Sequence, residues 1–192
     1  MNQVDALRGT APRMSLGRAV VVGAAVGVIA SIAMAVYAML AAYAKDTGFF
    51  TPLYHIASLW ASQDSMMASM QDAMADKSFH FEFGPALLGL VIHMMTGLAY
   101  GVVFGLAVAR LPIARAMLLL AGIVWGAVAF VISSFIGLPV AAAVFDSGDQ
   151  ITDMAEMAGW GTFIIEHLVF GLVLGTLLAM RRDPASAPIH AG

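Results

Sequence analysis

Four long stretches of the chain are almost free of charge, and short polar or acidic segments separate them. Residues 19–44, 83–109 and 116–145 contain no Asp, Glu, Lys or Arg, and residues 157–180 contain Glu166 alone. A helix rising about 1.5 Å per residue needs about 20 apolar residues to cross roughly 30 Å of hydrocarbon, and each stretch is long enough. None shows the short alternating segments of a membrane barrel. The pattern therefore predicts an all-α membrane fold with four transmembrane helices, over about 19–44, 84–109, 116–137 and 158–180. They form a single domain over 1–182, followed by a disordered tail rich in Ala and Pro at 183–192. Pro139 predicts a kink or early stop in the third span, leaving 138–145 as a partly separate apolar turn. The first run is longer than the about 7–15 residues of a signal-peptide core, so it reads as a retained first helix.

The connection over 45–82 is too long for a bare loop. Thr51-Pro52 reads as a cap followed by a first-turn proline, opening a short helix from Pro52 to about Ala61. Leu53, Tyr54, Ile56 and Trp60, with Phe49 and Phe50 before them, suit the membrane–water interface. Asp64-Ser65 reads as the cap of a second short interfacial helix from Met66 to about Ala75, and 79–83 as an extended lead into the second span.

Composition agrees. The chain is 61% hydrophobic and 11% charged, whereas soluble domains run to about a quarter charged. With no cysteine there is no disulfide, thiolate metal site or thiol nucleophile. No basic cluster points to nucleic acid. The bilayer is the expected partner, with a homo-oligomer or a larger membrane complex beyond it. Charge is sorted by side. Arg8, Arg13 and Arg18 precede the first span, Arg110 and Arg115 sit in the turn between the second and third, and Arg181 and Arg182 follow the fourth. The other two connections hold nine of the twelve acidic residues and only Lys45 and Lys77. Basic residues stay inside, which predicts cytoplasmic termini and two acidic connections outside.

The second and fourth spans echo each other. Each has a histidine with glycines four and eight residues later: His93, Gly97 and Gly101, then His167, Gly171 and Gly175. A glutamate stands eleven residues before each histidine, at Glu82 and Glu156, and Gly105 extends the first glycine row. Gly23 and Gly27 in the first span echo Gly122 and Gly126 in the third. Two helical hairpins repeated in one orientation are expected, related by an axis along the membrane normal. Glycines four apart let backbones approach closely. Here they crowd toward the cytoplasmic half, which predicts a sealed base beneath a wider outer half.

The chemistry sits in that outer half. Ionisable groups at such depth face a bundle interior or a wet cavity. His93 and His167, with Glu166 and Tyr100, are the expected intramembrane polar cluster. The two histidines can serve as hydrogen-bonded glue between helices, as axial ligands of haem b, as metal ligands with Glu166, or as a proton relay. Met66, Met67, Met70 and Met74 offer thioethers that suit Cu(I), or a pliable apolar helix face. His55 reads as a polar tip at the interface or a lid contact. No nucleophile elbow, zinc-protease helix, phosphate loop or dinucleotide fingerprint is present.

On the His93 helix, the basic turn from Arg110 to Arg115 and the Glu166-His167 stretch ending in Arg181-Arg182, the C-terminal half resembles the YagU-type bacterial inner-membrane proteins. The resemblance implies four helices in the inner membrane and brings no activity with it. The readings that stand are a non-enzymatic bundle or accessory subunit serving small-solute, ion or proton passage through the His/Glu cluster; a haem b- or metal-binding redox subunit using His93 and His167; and copper handling by the methionine-rich loop.

Overall fold

The computed structural model describes residues 15–111 and 113–181. Arg8, Arg13, Arg182 and the tail 183–192 lie outside the described residues. All regular structure among the described residues is helical: α1 (Leu16–Ala44), α2 (Thr51–Ala57), α3 (Asp64–Met74), α4 (Phe83–Arg110), α5 (Leu118–Ile132), α6 (Leu138–Phe145), α7 (Asp149–Thr152), α8 (Met154–Ala158) and α9 (Trp160–Arg181). Four helices are long and apolar enough to span a membrane: α1, α4, the broken helix Arg115–Phe145, and α9. Large apolar side chains such as Val21, Ile29, Val36, Leu40, Val124 and Val131 lie exposed along these helices, an arrangement a bilayer solvates and water does not.

α1 packs on α4 and on α9, α9 packs on α5, and α2 lies against α4. In hydrocarbon, helices gain nothing from burying leucine, so association rests on close van der Waals contact between small residues. The glycines supply it. A Cβ on Gly23 would fall 2.5 Å from the Gly101 carbonyl oxygen, and one on Gly101 would fall 2.6 Å from the Gly27 Cα. Gly97 meets Ser31 and Gly27, and Gly105 meets the Ala19 carbonyl and Gly23. On the other side Gly122 abuts Gly171 and Gly175, and Gly126 abuts the His167 carbonyl. Below and between these contacts, Val26, Phe104, Val108, Leu118, Phe170, Leu174 and Leu178 form one buried cluster at the end that carries the basic turn.

At the acidic end the helices part and the short helices fill the opening. α2 enters because Gly89 of α4 leaves room for the Leu53 carbonyl, where a Cβ would collide with backbone. Leu53 and Tyr54 are therefore buried, not laid along an interface; Trp60 alone of the expected set is largely exposed, edge-on to Phe145 at 5.5 Å. Thr51 does not cap α2: its hydroxyl donates to the Thr47 carbonyl at 2.6 Å and lies 2.8 Å from the Ser69 hydroxyl. In α3, Met66 is buried whereas Met67 and Met74 are exposed, so the four methionines do not share one face.

The third span runs past Gly137, where an end was expected. Residues 133–137 widen into a π-turn in which the Leu138 N–H donates to the Ser133 carbonyl. The wider turn absorbs the hydrogen bond and the space that Pro139 denies, and α6 carries the helix on to Phe145.

The glycine contacts give a direct expectation. Gly171→Ala should lower stability by about 1–3 kcal/mol, as overpacking does, because its Cβ would meet the Gly122 carbonyl and the Gly126 nitrogen. Gly161→Ala, with nothing within 4 Å, should be neutral or stabilise by up to about 1 kcal/mol. Thermal unfolding in one detergent compares the two, and equal effects would break the packing account.

Candidate functional site

Beyond the buried cluster the four long helices line a partly open cavity of about 420 Å³, with α2 and the α7–α8 segment across its other end. Its walls are mostly apolar. Among its lining residues are Lys45 at the end of α1, His55 of α2, His93 and Tyr100 of α4, and Glu166 and His167 of α9. His93, Tyr100, Glu166 and His167, singled out from the sequence, thus line one space.

Helix spacing explains who points where. His93 lies one turn above Gly97, on the face of α4 turned to α1, and its Nε2–H donates to the Ser31 carbonyl at 2.9 Å. His167 lies one turn above Gly171 and donates from Nδ1 to the Phe163 carbonyl at 2.8 Å. A carbonyl only accepts, so each neutral ring has its tautomer set by that bond. His93 Nδ1 and His167 Nε2 are left as acceptors. Phe163 and Phe130 flank the His167 ring at 4.8 and 5.8 Å. Glu166 is 6% exposed, and its carboxyl makes no hydrogen bond among the described residues.

Lys45 was not singled out from the sequence. Its ammonium donates to the Ala158 carbonyl at 2.7 Å, closing the last turn of α8, and to the Thr162 hydroxyl in the first turn of α9. It is the cation whose field reaches Glu166. Its place as one of two lysines in an otherwise acidic connection was the available signal. Tyr100 donates or accepts across a gap: its hydroxyl lies 3.0 Å from that of Ser133 in the π-turn. Phe104 stacks on Trp125 just below, at 5.9 Å. These side chains, and not close backbone contact, span from α4 to α5.

The roof is held by buried polar bonds. His55 is 6% exposed and donates from Nε2 to the Gln150 carbonyl at 2.6 Å, joining α2 to α7. Burial pushes its imidazole below the usual range, opposed by that bond. The Ser147 hydroxyl donates to the Leu59 carbonyl at 2.7 Å. Tyr54 accepts the Glu82 N–H at 2.7 Å and donates to the His80 carbonyl at 3.0 Å, and burial raises its phenol above the ordinary value. Outside it, His80 bridges two carboxylates, Asp72 from Nδ1 and Glu82 from Nε2, each at 2.8 Å, and Ser65 donates to Glu82 at 2.9 Å. This clip ties α3 to the start of α4.

Among the described residues no group of three or more His, Asp or Glu side chains converges as a metal site would. The chain matches no protein-family model, curated protein or solved structure in the comparisons made.

The clip sets a pH dependence. Hydrogen bonds to Glu82 and then Asp72 raise His80 above its ordinary 6.5, so its stabilisation is complete below that value and fades as pH rises through the elevated one. The bond from His80, then that from Ser65, lowers Glu82 below its ordinary 4.5, so its share is present above that value and is lost as pH falls through the depressed one. Both contributions are complete from 4.5 to 6.5. The difference in melting temperature between the parent and His80→Ala should peak in that window and shrink on either side; a flat difference would remove the clip from the account.

Proposed function

We propose that the protein is a non-enzymatic, four-span inner-membrane bundle that admits a small solute or ion from the outer face into the cavity and handles charge or a proton there through Glu166, His93 and His167. The observation that carries this reading is that those three side chains line one cavity whose far end meets glycine-packed helix faces. A carboxyl buried in a span without a hydrogen-bond partner is expensive to keep for stability alone. Two imidazoles, each with one ring nitrogen not engaged by these bonds, line the same cavity. On this reading the basic turn and both termini are cytoplasmic, in keeping with the charge sorting.

Architecture is part of the same proposal. The chain is two copies of a helical hairpin, α1 with α4 and α5 with α9, each joined by paired glycines at matched positions. The sealed base makes this a binding and exchange site open to one side, with passage requiring the glycine contacts to part. The resemblance to the YagU-type proteins, and assembly with further copies or with a larger complex, belong to this reading and add no chemistry to it.

The chain has no native cysteine, which makes access measurable. Ala38→Cys, on the cavity wall, should react in intact cells with a membrane-impermeant methanethiosulfonate added outside. Ala30→Cys, fully buried in the sealing cluster, should not. Labelling of Ala38→Cys only after permeabilisation would reverse the orientation, and no labelling from either side would remove the access.

A further inference from the structure

We propose that the solute is a protonated amine with an apolar, aromatic-sized body, and that its ammonium and a proton compete for the Glu166 carboxyl. The inference rests on the proposed solute-binding role of the cavity and names the ligand class.

The free polar atoms ask for a donor. His93 and His167 spend their N–H groups on the carbonyls of Ser31 and Phe163, which leaves each of these cavity-lining rings an acceptor nitrogen. Glu166, buried and lining the same cavity without a hydrogen-bond partner among the described residues, adds the one carboxyl within the spans. A carboxylate so placed is stable when opposed by positive charge, and a proton or a bound ammonium each supplies it. An ammonium offers N–H donors to the Glu166 carboxyl, and the two histidines line the same cavity.

The approach is electrostatic. Asp46, Asp64, Asp72, Asp76 and Glu82 lie in the connection that carries α2, and Asp146, Asp149, Asp153 and Glu156 in the one that carries α7 and α8, against Lys45 and Lys77. Acidic surroundings concentrate cations and repel anions. The Lys45 ammonium is already engaged by Ala158 and Thr162, which leaves it poorly placed to draw in an anion. The walls suit the rest of the molecule: Phe163, Phe170 and Tyr100 line the space, and ring faces favour a nearby cation. A volume of about 420 Å³ falls in the range of small-molecule sites.

The exchange balances without a further reactant. The amine enters with its charge, Glu166 releases one proton to solvent, and the ion pair forms with no net charge added to the cavity. The titratable groups that face this site are Lys45 from α1, His55 from α2, His93 and Tyr100 from α4, and His167 from α9; the π-turn contributes the Ser133 hydroxyl. Protonation of either span histidine would also repel the amine, so acid acts in one direction throughout.

The test uses the full chain in nanodiscs, with 2-(2-naphthyl)ethylamine, its neutral alcohol counterpart and 2-naphthylacetate as probes. Calorimetry in buffers of different ionisation enthalpy reads affinity and protons released together. The amine should bind with release of one proton and weaken as pH falls, and the acetate should not bind. Glu166→Gln should weaken the amine by roughly thirtyfold or more, the loss expected when one partner of a buried charge pair is removed, and flatten the pH profile; Glu166→Asp should restore part of both. Binding of alcohol and amine with equal affinity and no proton release would overturn the amine assignment and keep the cavity as a solute site. Binding of no probe, with Ala38→Cys unreactive from either side, would overturn the solute-binding role as well. Should Glu166→Gln fail to fold, the proton release and the amine–alcohol contrast of the parent chain decide alone.

Discussion

Direct backbone contact between glycine-lined helix faces is the constraint on which the remaining structure depends. Gly23, Gly27, Gly97, Gly101 and Gly105 bring α1 and α4 together, and Gly122, Gly126, Gly171 and Gly175 do the same for α5 and α9. In a bilayer no water is expelled by such contacts, so only intimate fit rewards them. The fit is concentrated toward one end, and that end closes around Phe104, Phe170 and Leu174. Beyond that end the four long helices line the cavity, with the small side chains of Ala35, Ala38 and Ala42 on α1 leaving space in its wall.

That geometry also assigns roles to groups that are otherwise unremarkable. Because α4 and α5 lack a shared glycine face, Tyr100 and Trp125 bridge them with side chains. Because the upper ends part, α2 and α7 have a place to enter, and Gly89 and the His55–Gln150 bond hold them in it. The roof is thus polar and hydrogen-bonded where the base is apolar and close-packed.

Much of this was legible in the residues. Four charge-poor runs of spanning length define the four long helices, since a backbone in hydrocarbon has few other ways to satisfy its N–H and C=O groups. Histidine with glycine at the fourth and eighth positions places imidazole and groove on one helix face, so His93, His167 and the packing glycines were visible from spacing alone. Pro139 marked a real irregularity, but its outcome was a widened turn and a continuing helix, because neighbouring carbonyls could be paired again by a change of winding.

What the sequence determined by itself was therefore local and periodic: helix class, span number, and the faces that carry glycine, histidine and charge. The tertiary structure alone decided that α2 is buried, that Met66 parts company with Met67 and Met74, that Lys45 reaches Ala158 and Thr162, and that Glu166 turns into the cavity beside His167. These outcomes depend on pairing between segments far apart in the chain. Glu166 and His167 differ by about 100° around their helix, and no periodicity within α9 says that one cavity is wide enough to receive both. The width is set by how closely four glycine faces approach at the other end, a property of the assembled bundle and of no single helix.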